Sequence, residues 1–417
     1  MSAPVLADVP PCLLRGLSAP LVAVVALSRR FGADSFPFDE SGFRSATFQK
    51  LFLARAEQLS VLGLILVELD RSSRLGELHS APSPAAKHLS QLRRQAAMWD
   101  LERDLMLRRL AHAGIPALLL KGTALRLTAY RDSAERAMAD LDVLVPKESL
   151  EAAVAVFAES GYERESAERV KLYLEHFHHL IVRKPDGFVV EIHWALAPAM
   201  SPFPLDPAAF WRDACVVTDG AATRVSVPCP VHMVLHLAQQ NLEDGFSQLR
   251  RLVDVDRVIA GTPDFAWARL SADAKRMRVQ AVVALTLQLA RILLGTPVPP
   301  GFIDELGLST TTRTHLALLD PVAIVLEQRG HRAVIQDLLL LWCLPDLRAR
   351  MRTLTMMGTG ARERLWHELG WSRATAPAAI ASLLKLAAYQ AMLYLSAPFG
   401  IRAEARRGKH FWREGTL

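Results

Sequence analysis

Asp140 and Asp142 stand two apart in the run Ala139-Asp140-Leu141-Asp142-Val143-Leu144-Val145. On a strand, side chains two apart project from one face, so both carboxylates point together while Leu141, Val143 and Val145 pack the other way. Left alone the pair would repel, and one pKa would rise. A divalent cation removes that conflict. Hard oxygen ligands suit Mg²⁺ or Mn²⁺, which complete their shells with water and phosphate oxygens. Glu191 lies in a second alternating run, Phe188-Val189-Val190-Glu191-Ile192-His193-Trp194. If its strand pairs beside the first, three carboxylates meet on one surface. That is enough for two cations that steady the attacking and leaving oxygens of an in-line displacement.

Phosphate binding would come from Leu118-Leu119-Leu120-Lys121-Gly122-Thr123-Ala124-Leu125. Ile115 to Leu120 is an uncharged, mostly aliphatic run that reads as a buried strand, and Lys121-Gly122-Thr123 opens a helix over Ala124 to Tyr130. A helix N-terminus offers unpaired N–H groups and the positive end of a dipole to an anion. Gly122 allows close backbone approach, Thr123 adds a hydroxyl and Lys121 a charge. This is not a P-loop, because the second glycine and the Gly-Lys-Ser/Thr ending are missing. A lone Asp-x-Asp is ordinarily a solvated strand edge. Here it is joined to Lys-Gly upstream and Glu-x-His-Trp downstream, at spacings of 18 (122 to 140) and 49 (142 to 191). For Lys121 a solvated role competes with phosphate contact, and for Arg136 a structural ion pair with an aspartate does.

These residues make the sequence resemble the nucleotidyltransferase superfamily of DNA polymerase β type, whose signature is a glycine turn, Asp-x-Asp and a third acid on a later strand. More narrowly it resembles an uncharacterised bacterial nucleotidyltransferase family. The matching positions are Lys121-Gly122, Tyr130, Arg136, Asp140-Leu141-Asp142, Gly161-Tyr162 and Glu191-Ile192-His193-Trp194. Downstream, His232 and His236 precede a basic helix with Arg250, Arg251 and Leu252-Val253-Asp254. The resemblance covers about residues 85 to 260. Thr123 replaces the usual serine, and the third acid is Glu rather than Asp; both are chemically competent. The resemblance implies an NTP as substrate, with ATP among the candidates. It places Asp140, Asp142 and Glu191 on Mg²⁺ or Mn²⁺, and Lys121, Gly122, Thr123 and Arg136 on the nucleotide. Glu191 would also help deprotonate an acceptor hydroxyl, with attack at the α-phosphate releasing pyrophosphate. RNA, a protein or a small molecule could be the acceptor. From another class comes the alternative of a catalytically silent nucleotide-binding or protein-interaction module.

Other histidines invite a zinc reading. His176, His178 and His179 cluster, and His232 and His236 have the i, i+4 spacing of two ligands on a helix face. Met233 stands where a zinc protease has its glutamate, and Cys-x-x-Cys is missing, so His179 and His236 read better as active-site wall or satisfied core histidines. His193 shares the strand face of Glu191, and Trp194 reads as core. Without a Gly-x-Ser-x-Gly elbow, a serine hydrolase of that kind has little support.

The chain has 417 residues, 51% hydrophobic and 22% charged, which fits a globular protein with a large core and excludes wholesale disorder. Its formal charge of +6 fits a polyanionic ligand without demanding nucleic acid. Cys12, Cys215, Cys229 and Cys343 suggest neither a disulfide framework nor a metal knuckle, so the expected compartment is the cytoplasm. Leu21 to Leu27 is too short, and preceded by too little positive charge, to read as a secretory signal. Ala376 to Leu395 is apolar over a membrane-like length, but Pro377, Lys385 and Gln390 interrupt it, so no stable membrane insertion is expected.

The organisation predicted is α+β: a small mixed sheet with helical N-terminal and C-terminal regions. Residues 1–84 read as a helical region that includes a helix over 45–69. The core, 85–200, opens on an amphipathic helix over about 85–113 closed by Gly114. It then alternates strand and helix and ends in a hairpin whose strands, 178–184 and 188–194, flank Pro185-Asp186-Gly187. Residues 201–230 read as a proline-rich connection. Residues 231–417 read as helical, with elements over 231–242, 246–260, 264–295, 311–328 and 331–343.

Overall fold

The computed structural model describes residues 17–29, 43, 45–78, 85–198, 201–218 and 224–316, with short pieces between 325 and 353. Helix α1 (Ala19–Ser28) carries Pro20 in its first turn, where a missing N–H costs nothing. The expected helix over 45–69 is two: α2 (Ala46–Gln58), capped by the Ser45 hydroxyl, and α3 (Leu62–Arg71). Ser60, in the left-handed region at φ +60°, makes the break, which apolar spacing does not reveal. Helix α4 (Ala85–His112) matches the expected amphipathic helix. Gly114 closes it at φ +69°, and Ile115 N–H reaches back to the Leu110 carbonyl.

The core follows as β1 (Leu118–Leu119), α5 (Lys121–Thr128), β2 (Leu141–Leu144), α6 (Leu150–Glu159), β3 (Glu163–Arg164), α7 (Ala167–His176), β4 (His179–Arg183) and β5 (Val189–His193). The β4–β5 turn is the one the sequence marks, with Gly187 at φ +97° and Lys184 N–H donating to the Phe188 carbonyl. Residues 201–230, expected only to connect, hold α8 (Pro207–Arg212), β6 (Cys215–Thr218) and β7 (Arg224–Val227). Alternating burial in β7 places Val225 and Val227 in the core, so these short β-branched runs extend the sheet despite the prolines around them. The seven strands lie in the order β3-β4-β5-β2-β1-β7-β6. Pairs β2–β5 and β1–β7 are parallel and the others antiparallel, so the sheet is mixed and the fold α+β.

The C-terminal helices are α9 (Pro230–Glu243), α10 (Leu249–Ala260), α11 (Trp267–Arg276), α12 (Gln280–Leu294), α13 (Phe302–Glu305) and α14 (Thr310–Leu316). A single helix over 264–295 does not form, because Arg278 at φ +60° ends the run between α11 and α12. Leu285, Leu287, Leu289 and Leu293 of α12 are fully buried, each contributing roughly 1.5–3 kcal/mol of transfer free energy. Helix α10 packs on α9 and α12, and α5 touches both α9 and α10, which braces the start of α5 against the sheet. Among the described residues no helix is long and apolar enough to cross a membrane. The stretch 376–395 and most of 317–343 lie outside the described residues.

Candidate active site

Strand register builds the site. In the parallel pair β2–β5, Asp142 sits opposite Glu191 and Leu144 opposite His193, so Asp142, Glu191 and His193 share one face. The antiparallel β4 adds His179 opposite His193. Glu191 is therefore on the side of the sheet that the alternating pattern requires. Asp140 lies just ahead of β2 and is partly buried. Ligand atoms of Asp142, Glu191 and His193 lie within 4.8 Å of one another, and Asp140 is not in that group.

Lys121 opens α5 and closes the site. Its ammonium donates to Asp142 Oδ1 at 2.7 Å and Glu191 Oε2 at 3.3 Å, and its side chain is 18% exposed. The backbone of Lys121 is left-handed, at φ +45°. Such a conformation costs a lysine about 1–3 kcal/mol and persists only where surrounding contacts enforce it. Leu120, the residue before the helix, offers no capping side chain, so the first amides of α5 have no partner within the helix. Strand β2 fixes that turn: Leu120 N–H donates to the Asp142 carbonyl, and the Asp142 N–H donates to the Thr123 hydroxyl at 3.0 Å. Thr123 is fully buried, so its hydroxyl positions Asp142 rather than lining the surface.

Arg136 takes the structural ion pair weighed from the sequence. Its Nε lies 2.8 Å and 3.1 Å from the two Asp254 oxygens, and Tyr130 donates to Asp254 at 2.6 Å. All three are buried. A side chain at Gly122 would meet the Arg136 guanidinium at 3.3 Å, so glycine is needed there for close approach. Three separate motif pieces, Tyr130, Arg136 and Leu-x-Asp at 252–254, thus converge beside the Lys-Gly turn. Asp254 was visible as a motif match, but its partners, 118 and 124 residues away in sequence, were not. Tyr162 of Gly161-Tyr162 is also buried, donating to Glu102 at 2.9 Å. Trp194 packs against the core.

Charge in the site is unbalanced. Burial, with Asp142 and Glu191 nearby, pushes the Asp140 carboxyl up to about 6. Burial also acts on Asp142, but the Lys121 charge and the hydrogen bond with His193 outweigh it and hold the carboxyl below its ordinary value. Glu191 behaves likewise: burial is outweighed by His193 and Lys121, so it stays ionised. For Lys121 the two carboxylates overcome burial and raise the ammonium. Burial drives His178 down to about 2, His179 to about 4 and His236 well below its ordinary value, so these imidazoles are neutral at pH 7.

Of the two readings of His179 and His236, the satisfied one is not met at Nδ1, which is buried without a hydrogen-bond partner in both, as it is in His178 and His193, while His179 pairs with His193 beside the carboxylates. His232 stacks on Phe210 at 4.7 Å and lies 3.4 Å from Asp273. Among the described residues neither His232 nor His236 belongs to a group able to share an ion.

The donor set fits a divalent cation, because Asp142 and Glu191, both in contact with one ammonium, keep their charge and lie with His193 within reach of a single ion. No curated protein matches the chain. The model of the family described as uncharacterised nucleotidyltransferase matches residues 46–295, more than half of the sequence, so the chain belongs to that family and to the enzymes that transfer nucleotidyl groups.

Proposed function

We propose that the chain moves a nucleoside monophosphate from an NTP to an acceptor hydroxyl of RNA, protein or a small molecule, with release of pyrophosphate. The observation that carries this reading is the register of Asp142 against Glu191, with the uncapped start of α5 pinned to the same strand. Asp142 and Glu191, joined by Asp140, would hold Mg²⁺ or Mn²⁺. Such a cation, when bound, neutralises charge on the attacking and leaving oxygens. Gly122 and the backbone amides of the first turn of α5 would face the phosphates, as an uncapped helix start does for anions. Lys121 supplies positive charge at the same place. Arg136, fixed by Asp254, supports the turn from beneath Gly122 and adds its field to phosphate binding. Glu191 would also help deprotonate the acceptor hydroxyl, and Asp140, whose carboxyl stands near 6 without a cation, would be ionised once the cation binds.

A second reading, a nucleotide-binding module without turnover, is favoured by the Lys121 ammonium already bridging Asp142 and Glu191. One assay separates the two. The full chain is incubated with each labelled NTP, Mg²⁺ or Mn²⁺ and pools of RNA, protein and small molecules. Cation-dependent pyrophosphate release, with label entering one pool, is the expected result. Saturable NTP binding with no release would support the silent module instead.

A further inference from the structure

Beside the carboxylates lies a group of imidazoles that nucleotidyl transfer does not use. His178, His179 and His193 touch ring to ring, with centroids 4.9 Å (178 to 179), 5.3 Å (178 to 193) and 5.0 Å (179 to 193) apart. The β4–β5 register explains two of them, and His178 immediately precedes β4. One ring nitrogen of each lies within 4.8 Å of the others. Nδ1 of all three is buried with no hydrogen-bond partner, and His178 and His193 are more than nine-tenths buried. Buried polar atoms are nearly always paired, so three touching rings that each keep an unpaired Nδ1 mark a place built for something else.

His193 shows what that is. Its Nε2 lies 3.0 Å from Asp142 Oδ1. The carboxylate can only accept, so Nε2 donates, and the nitrogen left over for another partner is the unpaired Nδ1. A carboxylate that orients a histidine through one nitrogen, leaving the other for a metal, is the recurrent outer arrangement of imidazole metal sites. Three imidazoles suit borderline ions such as Zn²⁺ or Co²⁺, whereas Mg²⁺ takes oxygen.

We propose that His178, His179 and His193 form a binding site for a borderline divalent transition-metal ion of the Zn²⁺ class, adjoining the oxygen ligands of Asp142 and Glu191 but separate from them. The site does not depend on nucleotidyl transfer. An ion there would fix the His193 ring and, through it, the orientation of Asp142.

The test uses the full-length chain without an affinity tag, stripped by chelator and titrated with Zn²⁺ by calorimetry in excess Mg²⁺. The expected result is one ion per chain, undisturbed by Mg²⁺. The doubly substituted His178→Asn, His179→Asn chain should bind Zn²⁺ weaker by more than about ten-fold, the low end of what losing even an outer partner costs a metal site. Cu²⁺ loaded into the wild-type chain should show more than one coordinated imidazole by pulsed electron paramagnetic resonance, a readout that stands even if the substituted chain does not fold. Binding well below one ion per chain, displacement by Mg²⁺, unchanged affinity in the folded variant, or a single coordinated imidazole would each overturn the assignment.

Discussion

Two charged clusters meet the first turn of α5, and they differ in how their charges balance. In direct contact Arg136 meets one carboxylate, Asp254, one charge against one, with Tyr130 completing the hydrogen bonds and all three groups buried, while Arg250 adds its field from nearby. Lys121 faces Asp142 and Glu191 directly and feels Asp140 as well, one positive charge against three negative, with Lys121 and Glu191 still reached by water above the buried Asp142. A balanced, closed cluster holds a fold in place. An unbalanced, open one awaits a cation, and the two are separated by a single glycine that admits the Arg136 guanidinium on one side.

The balanced cluster should answer to stability. Arg136→Met leaves the Asp254 carboxylate buried without its counter-charge, and breaking one partner of a buried pair costs about 3–5 kcal/mol. Chemical denaturation should register that loss with or without NTP. A change below about 1 kcal/mol would show that the pair is not what braces the turn.

The unbalanced cluster should answer to turnover. Asp142→Asn keeps the side-chain shape and the backbone bond to Thr123 but removes the most enclosed carboxylate. Nucleotidyl transfer in Mg²⁺ should fall at least about a hundred-fold, the scale of losing one group that stabilises developing charge. Folding, followed by circular dichroism, should persist. Near wild-type turnover would sink the assignment of Asp142 to a cation.

Asp140 sharpens the contrast, because its carboxylate should lower stability while no cation is bound. The folded carboxyl titrates at about 6 against its ordinary 3.8, so the native state holds a proton that the unfolded chain has already released between those values. Stability from this group is therefore lost as pH rises from about 4 to about 6 and stays lost above that. In chelator, Asp140→Asn should be more stable than wild type by up to about 3 kcal/mol at pH 7 and no different near pH 4. Equal stability at pH 7 would mean that neither burial nor the neighbouring carboxylates press on Asp140.

The face carrying Asp142, Glu191 and His193 was legible in the sequence because strand alternation alone decides which side chains share a side. Gly187 and Gly114 were legible too, since glycine marks the left-handed positions that close a hairpin and a helix. Ser60, Lys121 and Arg278 were not. Their left-handed conformations are imposed by packing on residues that have no intrinsic preference for them, so two helices were expected where four form. Strands β6 and β7 were hidden by the prolines around them, and Asp254 by its distance along the chain. The histidine group needed the β4–β5 register in atomic detail before its unpaired nitrogens could be counted.

The smallest predicted effect asks which cluster Thr123 serves. Its sequence position favours a hydroxyl on phosphate, yet the structure spends that hydroxyl on the Asp142 N–H within a fully buried contact. Thr123→Val keeps the volume and removes the acceptor, leaving one buried amide unpaired at a cost of about 1–3 kcal/mol. The loss should appear in denaturation, and turnover should fall through a displaced Asp142. NTP affinity, measured by calorimetry without acceptor, should stay within about three-fold of wild type, a change worth less than 1 kcal/mol. If affinity falls while stability holds, the hydroxyl acts on the nucleotide itself, and Thr123 belongs with Lys121 on the open side of the turn.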